Sequence, residues 1–201
     1  NKTSLKKIDE LESIRGLAAL MIVLFHMPLW NESFQISIIR NAYLMVDLFF
    51  VISGYLITGI IVRSIDLGKF SFQEFYAKRI CRIFPPLLIV LAFCLGLGYF
   101  FLHDLEYMAL SKHVFATSLF LNNWVLGLES GYFDVSSESK PLLHLWSLSI
   151  EEQFYLVWPA LIFFMRRFFK DIGHVLIILA ALSLFYGIWI TASKPVVGFY
   201  G

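Results

Sequence analysis

An arginine and a histidine share one face of the stretch ELESIRGLAALMIVLFHMP at residues 10–28, which is apolar between them. Arg15 and His26 are 11 positions apart, about three turns of helix and roughly 16 Å along its axis. A guanidinium suits an anion, and an imidazole deep in an apolar helix is placed to act as a general base. Together they mark a line along which a long ligand could lie. The plainer readings are a snorkelling anchor for Arg15 and a helix–helix hydrogen bond for His26.

Other costly residues follow along the chain. Arg79 and Arg82 are i, i+3 neighbours with Lys78 beside them, a fork that suits a phosphate-rich ligand. The same residues also read as an ordinary basic loop that fixes topology. Glu151 and Glu152 adjoin. Ser149-x-x-Glu152 reads as a capping box, which gives Glu152 a structural task and leaves Glu151 as the functional candidate. Asp47 is a carboxylate inside an apolar segment, suited either to orienting a histidine or to pairing with a neighbouring helix. Tyr155, one turn past Glu151, and Trp146 read as interfacial aromatics, and Tyr155 could also face the site. His144 precedes LWSLS and reads as a loop residue. His103, His113 and His174 stand at segment ends and take no role. HExxH, GxSxG and a glycine-rich phosphate loop are absent, so zinc hydrolysis, soluble-type serine hydrolysis and NTP hydrolysis have no support. No metal is expected.

The elements that position these residues are membrane spans. The chain has 201 residues, 59% hydrophobic and only 15% charged, with a mean hydropathy of +0.74. Soluble domains are nearer half apolar, so an all-α, polytopic transmembrane bundle of five or six spans is expected. Asp9 and Glu12 read as a capping box starting the first helix, which would run to about Trp30. A second span is expected over Tyr43–Val62. Ser71 and Glu74 make a further capping box, predicting a surface helix over Phe72–Ile83, with Pro85-Pro86 starting a third span to Leu102. Val114–Leu128 is apolar but short, and carries Asn122 and Asn123. It reads as a short span, a re-entrant segment or an interfacial helix. Further spans are expected over Leu148–Met165 and His174–Thr191.

The distribution of basic residues sets the orientation. If Val114–Leu128 does not cross, only Arg40, Lys112, Lys140 and Lys194 of the 16 Lys and Arg fall outside. If it crosses, the Arg166-Arg167-Lys170 patch is stranded there. The five-span arrangement is therefore preferred, with a cytoplasmic N-terminus in the inner membrane. It puts Arg15, Arg79 and Arg82 at the cytoplasmic mouth, and His26 and Glu151 towards the outer end. Cys81 and Cys94 lack metal-like spacing and read as free thiols. The first apolar helix ends without a small-residue cleavage site, so it reads as a span.

Four segments, IRGLAALMIVLFH, DLFFVISGYLIT, FYAKRICRIFPPLL and LLHLWSLSIEEQFYLVWP, together resemble the membrane-bound acyltransferase-3 family. That family O-acylates cell-envelope carbohydrates. The linker GYFDVSSESKPLLHLWSLS further resembles the bacterial branch that modifies lipopolysaccharide O-antigen or peptidoglycan, often with a C-terminal SGNH-type domain. Asn1 is not an initiator methionine and Gly201 follows an apolar helix, so residues 1–201 are expected to be a fragment, the N-terminal part of such a membrane domain.

The resemblance implies roles residue by residue. The family's Arg-x10-His pattern falls on Arg15 and His26, its Arg-x-x-Arg pair on Arg79 and Arg82, and its carboxylate after WSLS on Glu151. It implies acetyl-CoA as acyl donor and a cell-envelope glycan as acceptor, with the lipid bilayer as surroundings and no nucleic acid. His26 would be general base or transient acyl carrier, with Glu151 or Asp47 orienting it. Arg15, Arg79 and Arg82 would hold the nucleotide head. Beside these implied roles, Tyr155 and His144 are the substrate-side candidates that the residues themselves offer. A polytopic transporter or flippase of acylated intermediates needs similar intramembrane charges, but the internal repeats frequent in transporters are not visible.

Overall fold

A computed structural model describes residues 2–25, 44–129, 140–169 and 171–193. Every regular element among them is helical: α1 Lys2–Phe25, α2 Leu44–Asp66, α3 Phe72–Phe101, α4 Asp104–Ser118, α5 Asn122–Glu129, a 3-10 turn Leu143–Leu145, α6 Trp146–Phe168 and α7 Gly173–Ser193. Two compact units divide the chain, Asn1–Arg63 and Ser64–Gly201, the division falling in the last turn of α2.

Four described helices are long and apolar enough to cross a membrane: α2, α3, α6 with its preceding turn, and α7. In α1 the apolar stretch Ser13–Leu24 is shorter. The protein is a multi-pass membrane protein. Val114–Leu128 does not form one span. It breaks at Leu119–Leu121, where Phe120 takes a positive φ of 55°, and becomes the ends of two helices of 15 and 8 residues. Neither reaches the ~20 residues that a bilayer requires.

Two helix boundaries differ from the sequence-based expectation. α1 begins at Lys2, so Asp9 lies inside it rather than at its start. The surface helix and third span expected on either side of Pro85-Pro86 are one 30-residue helix, α3. Its N-cap is the expected Ser71, whose hydroxyl accepts from the Glu74 amide at 3.4 Å. The prolines deprive the Cys81 and Arg82 carbonyls of their usual helical donors. Membrane helices tolerate this more readily than soluble ones, because neighbouring groups re-satisfy the freed carbonyls.

In the first unit, α2 buries Ile52, Ser53, Ile57 and Ile61. The second unit has its apolar core where α3 meets α4 and the turn before α6, at Leu87, Leu91, Leu110 and Leu142. Gly98 makes that approach possible: a Cβ there would lie 2.5 Å from Leu110 Cδ2. α7 buries none of its residues.

α3 and α6 run antiparallel, as three side-chain contacts show. The Phe72 and Phe163 rings lie 5.4 Å apart. The Tyr76 hydroxyl donates to the Leu156 carbonyl at 2.7 Å. Arg79 stacks on Tyr155. Just beyond the α3 start, Asp66 pairs with Arg166 in the same register.

Candidate functional site

The antiparallel register sets three sequence candidates against one another. The Arg79 guanidinium carbon lies 4.6 Å from the centre of the Tyr155 ring. Tyr155 is buried, and its hydroxyl donates to Glu151 Oε1 one turn earlier on α6. Cation, aromatic face and carboxylate thus form one continuous stack. Arg79 also contacts the Phe75 ring at 5.8 Å, on its own helix. A guanidinium, planar by resonance, can lie over a ring in this way while its edge N–H groups stay free to point at an anion.

This arrangement corrects the expected separation of Arg79 from Glu151. Arg79 and Glu151 were expected at opposite ends of the bundle. They come to one level, each touching Tyr155, because the basic segment belongs to α3 itself and its side chains reach the middle of α6. Arg82, one turn further on, is exposed.

Glu152 also differs from expectation. α6 begins at Trp146, so Ser149 is already inside the helix and donates to the Leu145 carbonyl at 3.1 Å. There is no capping box at Ser149. Glu152 Oε1 is buried and has no hydrogen-bond partner among the described residues.

The remaining sequence candidates are placed separately. Arg15 is half-buried, its guanidinium 5.6 Å from the centre of the Phe49 ring within the first unit. Asp47 is exposed in the first turn of α2. His144 is exposed in the 3-10 turn, and its carbonyl accepts from Ser147 Oγ at 3.2 Å. His26 lies outside the described residues, so its place on the Arg15 face stands on the sequence alone.

A second polar centre escaped sequence reasoning. His113 of α4 is buried, with Nδ1 2.9 Å from Asn122 Oδ1 and Nε2 3.0 Å from Glu129 Oε2. Asn122 Nδ2 donates to the Leu142 carbonyl at 3.0 Å, which assigns Oδ1 as acceptor and His113 Nδ1 as donor. Glu129 also receives Lys112 at 2.6 Å and Lys140 at 3.3 Å. Burial pushes the Glu129 carboxyl up, but the Lys112 hydrogen bond, the His113 charge and Lys140 outweigh it and hold it below the usual carboxylate range. Gln153, in the same EEQ run as the glutamates, donates to the Phe120 carbonyl at 2.6 Å and to Asn123 Oδ1 at 2.9 Å. This network ties α4, α5 and the turn to the start of α6. It therefore braces the helix that carries Glu151 and Tyr155. Two consecutive asparagines in an apolar run were the signal available in the sequence; nothing pointed to His113.

Comparison with known proteins bears on this site. Residues 8–201 match the acyltransferase-3 family model, described as an acyltransferase domain. An uncharacterized protein of Haemophilus influenzae is 39% identical over 141 residues, 70% of this chain and 57% of that protein. The peptidoglycan O-acetyltransferase OatA of Listeria monocytogenes is 30% identical over 190 residues, 94% of this chain and 29% of OatA. The chain thus spans less than two thirds of the length of either relative. No solved structure matches it. With the match covering almost all of its length, the chain belongs to the acyltransferase-3 family.

Proposed function

We propose that this protein is an inner-membrane O-acetyltransferase, moving an acetyl group from cytoplasmic acetyl-CoA to a hydroxyl of a cell-envelope glycan on the other side. The Arg79–Tyr155–Glu151 stack carries the reading beyond the family. It offers a guanidinium held ready for an anion inside a membrane protein, where an unused charge is expensive. Similarity to a peptidoglycan O-acetyltransferase supports a glycan acceptor.

In this reading Arg79, with Arg82 and Arg15, holds the phosphates of the coenzyme. His26 removes the proton of the acceptor hydroxyl as that oxygen attacks the thioester carbonyl. A C–O bond forms, the C–S bond breaks, and the departing thiolate takes the proton back from His26. A variant of the same chemistry passes the acetyl group through His26 first. Glu151 acts by fixing Tyr155 beneath Arg79. Tyr155 and His144 serve as substrate-side candidates, and Asp47 as a carboxylate partner for a histidine. The N-terminus is cytoplasmic, and an SGNH-type domain is the expected partner outside the membrane.

The test is incubation of proteoliposomes holding the protein with radiolabelled acetyl-CoA and a glycan. Label appearing on the glycan supports the enzyme. Glycan crossing the bilayer without label transfer contradicts it and supports a transporter.

A further inference from the structure

Among the described residues, two buried side-chain oxygens lack a hydrogen-bond partner, Thr117 Oγ1 and Glu152 Oε1. A threonine hydroxyl can rotate to suit its surroundings, whereas a carboxylate oxygen must be supplied with a donor. Buried polar groups in proteins are nearly all bonded, and acidic groups left alone are the costliest exceptions. Nothing within α6 answers for Glu152. Ser149 bonds elsewhere, and the adjacent Glu151 is engaged by Tyr155. Both Glu151 and Arg79 lie within electrostatic reach of Glu152. Glu152 also stands three residues before Tyr155 on α6, a spacing that makes the two side chains neighbours on one helix face and sets Glu152 beside the stack.

We propose that Glu152 is a substrate-binding residue whose buried Oε1 accepts a hydrogen bond from a neutral O–H or N–H donor of a bound co-substrate. Which co-substrates are present rests on the acetyl-transfer reading above. The chemistry narrows the donor. A phosphate has no proton to offer near neutral pH, and a carboxylate repels it. A sugar hydroxyl of the acceptor and a secondary amide in the arm of coenzyme A each present one suitable donor. Arg79 and Glu152 then divide the labour by charge, one taking anionic groups and the other neutral donors.

The experiment uses the whole protein purified into lipid nanodiscs, with acetyl-CoA and an N-acetylglucosamine oligosaccharide as probes. Glu152→Ala removes the acceptor, and Glu152→Gln keeps an acceptor oxygen of similar reach. Glu152→Ala should raise KM for one co-substrate about 10-fold with kcat little changed. Glu152→Gln should stay within about 3-fold of wild type. A rise for acetyl-CoA assigns the donor to the coenzyme arm, and a rise for the oligosaccharide assigns it to the sugar. If Glu152→Ala does not accumulate, Glu152→Met, apolar and of similar length, takes its place. Unchanged KM for both co-substrates overturns the proposal, as does a Glu152→Gln loss equal to that of Glu152→Ala. If the wild type transfers no acetyl group, the acetyl-transfer reading fails by itself. Calorimetric binding of both probes then decides Glu152: weaker binding by the alanine variant supports it, and equal binding overturns it.

Discussion

Arg79 lies over the Tyr155 ring, with the guanidinium carbon 4.6 Å from the ring centre, while the Tyr155 hydroxyl is committed to Glu151. One tyrosine thus links a cation on α3 to a carboxylate on α6. Because the ring is buried, removing any of the three members should be felt by the others.

Arg79→Lys keeps the charge but loses the flat surface and the forked donors. The apparent KM for acetyl-CoA should rise about 10- to 100-fold, the range expected for losing charge-assisted hydrogen bonds. Initial rates in membranes at varied acetyl-CoA check this. An unchanged KM would remove Arg79 from the coenzyme site.

Tyr155→Phe keeps the ring under Arg79 and deletes only the donor to Glu151. Loss of that bond should cost ~1 kcal/mol of stability and lower acetyl transfer more than it lowers protein level. Tyr155→Leu should be worse on both counts, since the cation–π contact goes too. Thermal melting in nanodiscs, paired with an activity assay, separates the two effects.

Gly98 governs how closely α3 and α4 approach. Gly98→Ala places a methyl group 2.5 Å from Leu110 Cδ2 and should destabilise the second unit by ~1–3 kcal/mol. Leu110 is itself a core residue, so Leu110→Ala destabilises by itself, but in that background Gly98→Ala should cost less than it does in the wild type, because the clash is with that side chain. An equal cost in both backgrounds would mean that the backbone, not Leu110, sets the spacing.

The Glu129 cluster predicts a pH dependence with a definite sign. Its carboxyl is held below the ordinary value of 4.5, so its contribution to stability is fully present above that value. It is lost as pH falls from 4.5 through the lowered folded-state value. Glu129→Gln should flatten that acid limb of a melting-temperature profile. A profile of unchanged slope would show that the ion pairs with Lys112, His113 and Lys140 do not brace the fold.

Much of the architecture could be read from apolar runs. Tyr43–Val62 and His174–Thr191 became Leu44–Asp66 and Gly173–Ser193, shifted by a few residues at most. Failures came where local rules competed with the membrane. Pro85-Pro86 would end or start a helix in water, but α3 continues through it, so Arg79 and Arg82 belong to the same helix as the apolar span. Ser149-x-x-Glu152 satisfies the capping pattern, yet α6 starts three residues earlier at Trp146. Residue types pointed to Arg79, Glu151 and Tyr155, but their meeting depends on helix packing that no single-chain pattern encodes. His113 and Asn122 are nine residues apart, and only the break at Phe120 brings them together.

His26 remains the residue on which acetyl transfer turns. The decisive measurement is label transfer from radiolabelled acetyl-CoA to glycan in proteoliposomes carrying either wild-type protein or His26→Ala, at matched protein levels. Transfer by the wild type and none above background by His26→Ala, with the variant still inserted in the membrane, is the predicted result. Wild-type rates from His26→Ala would contradict it.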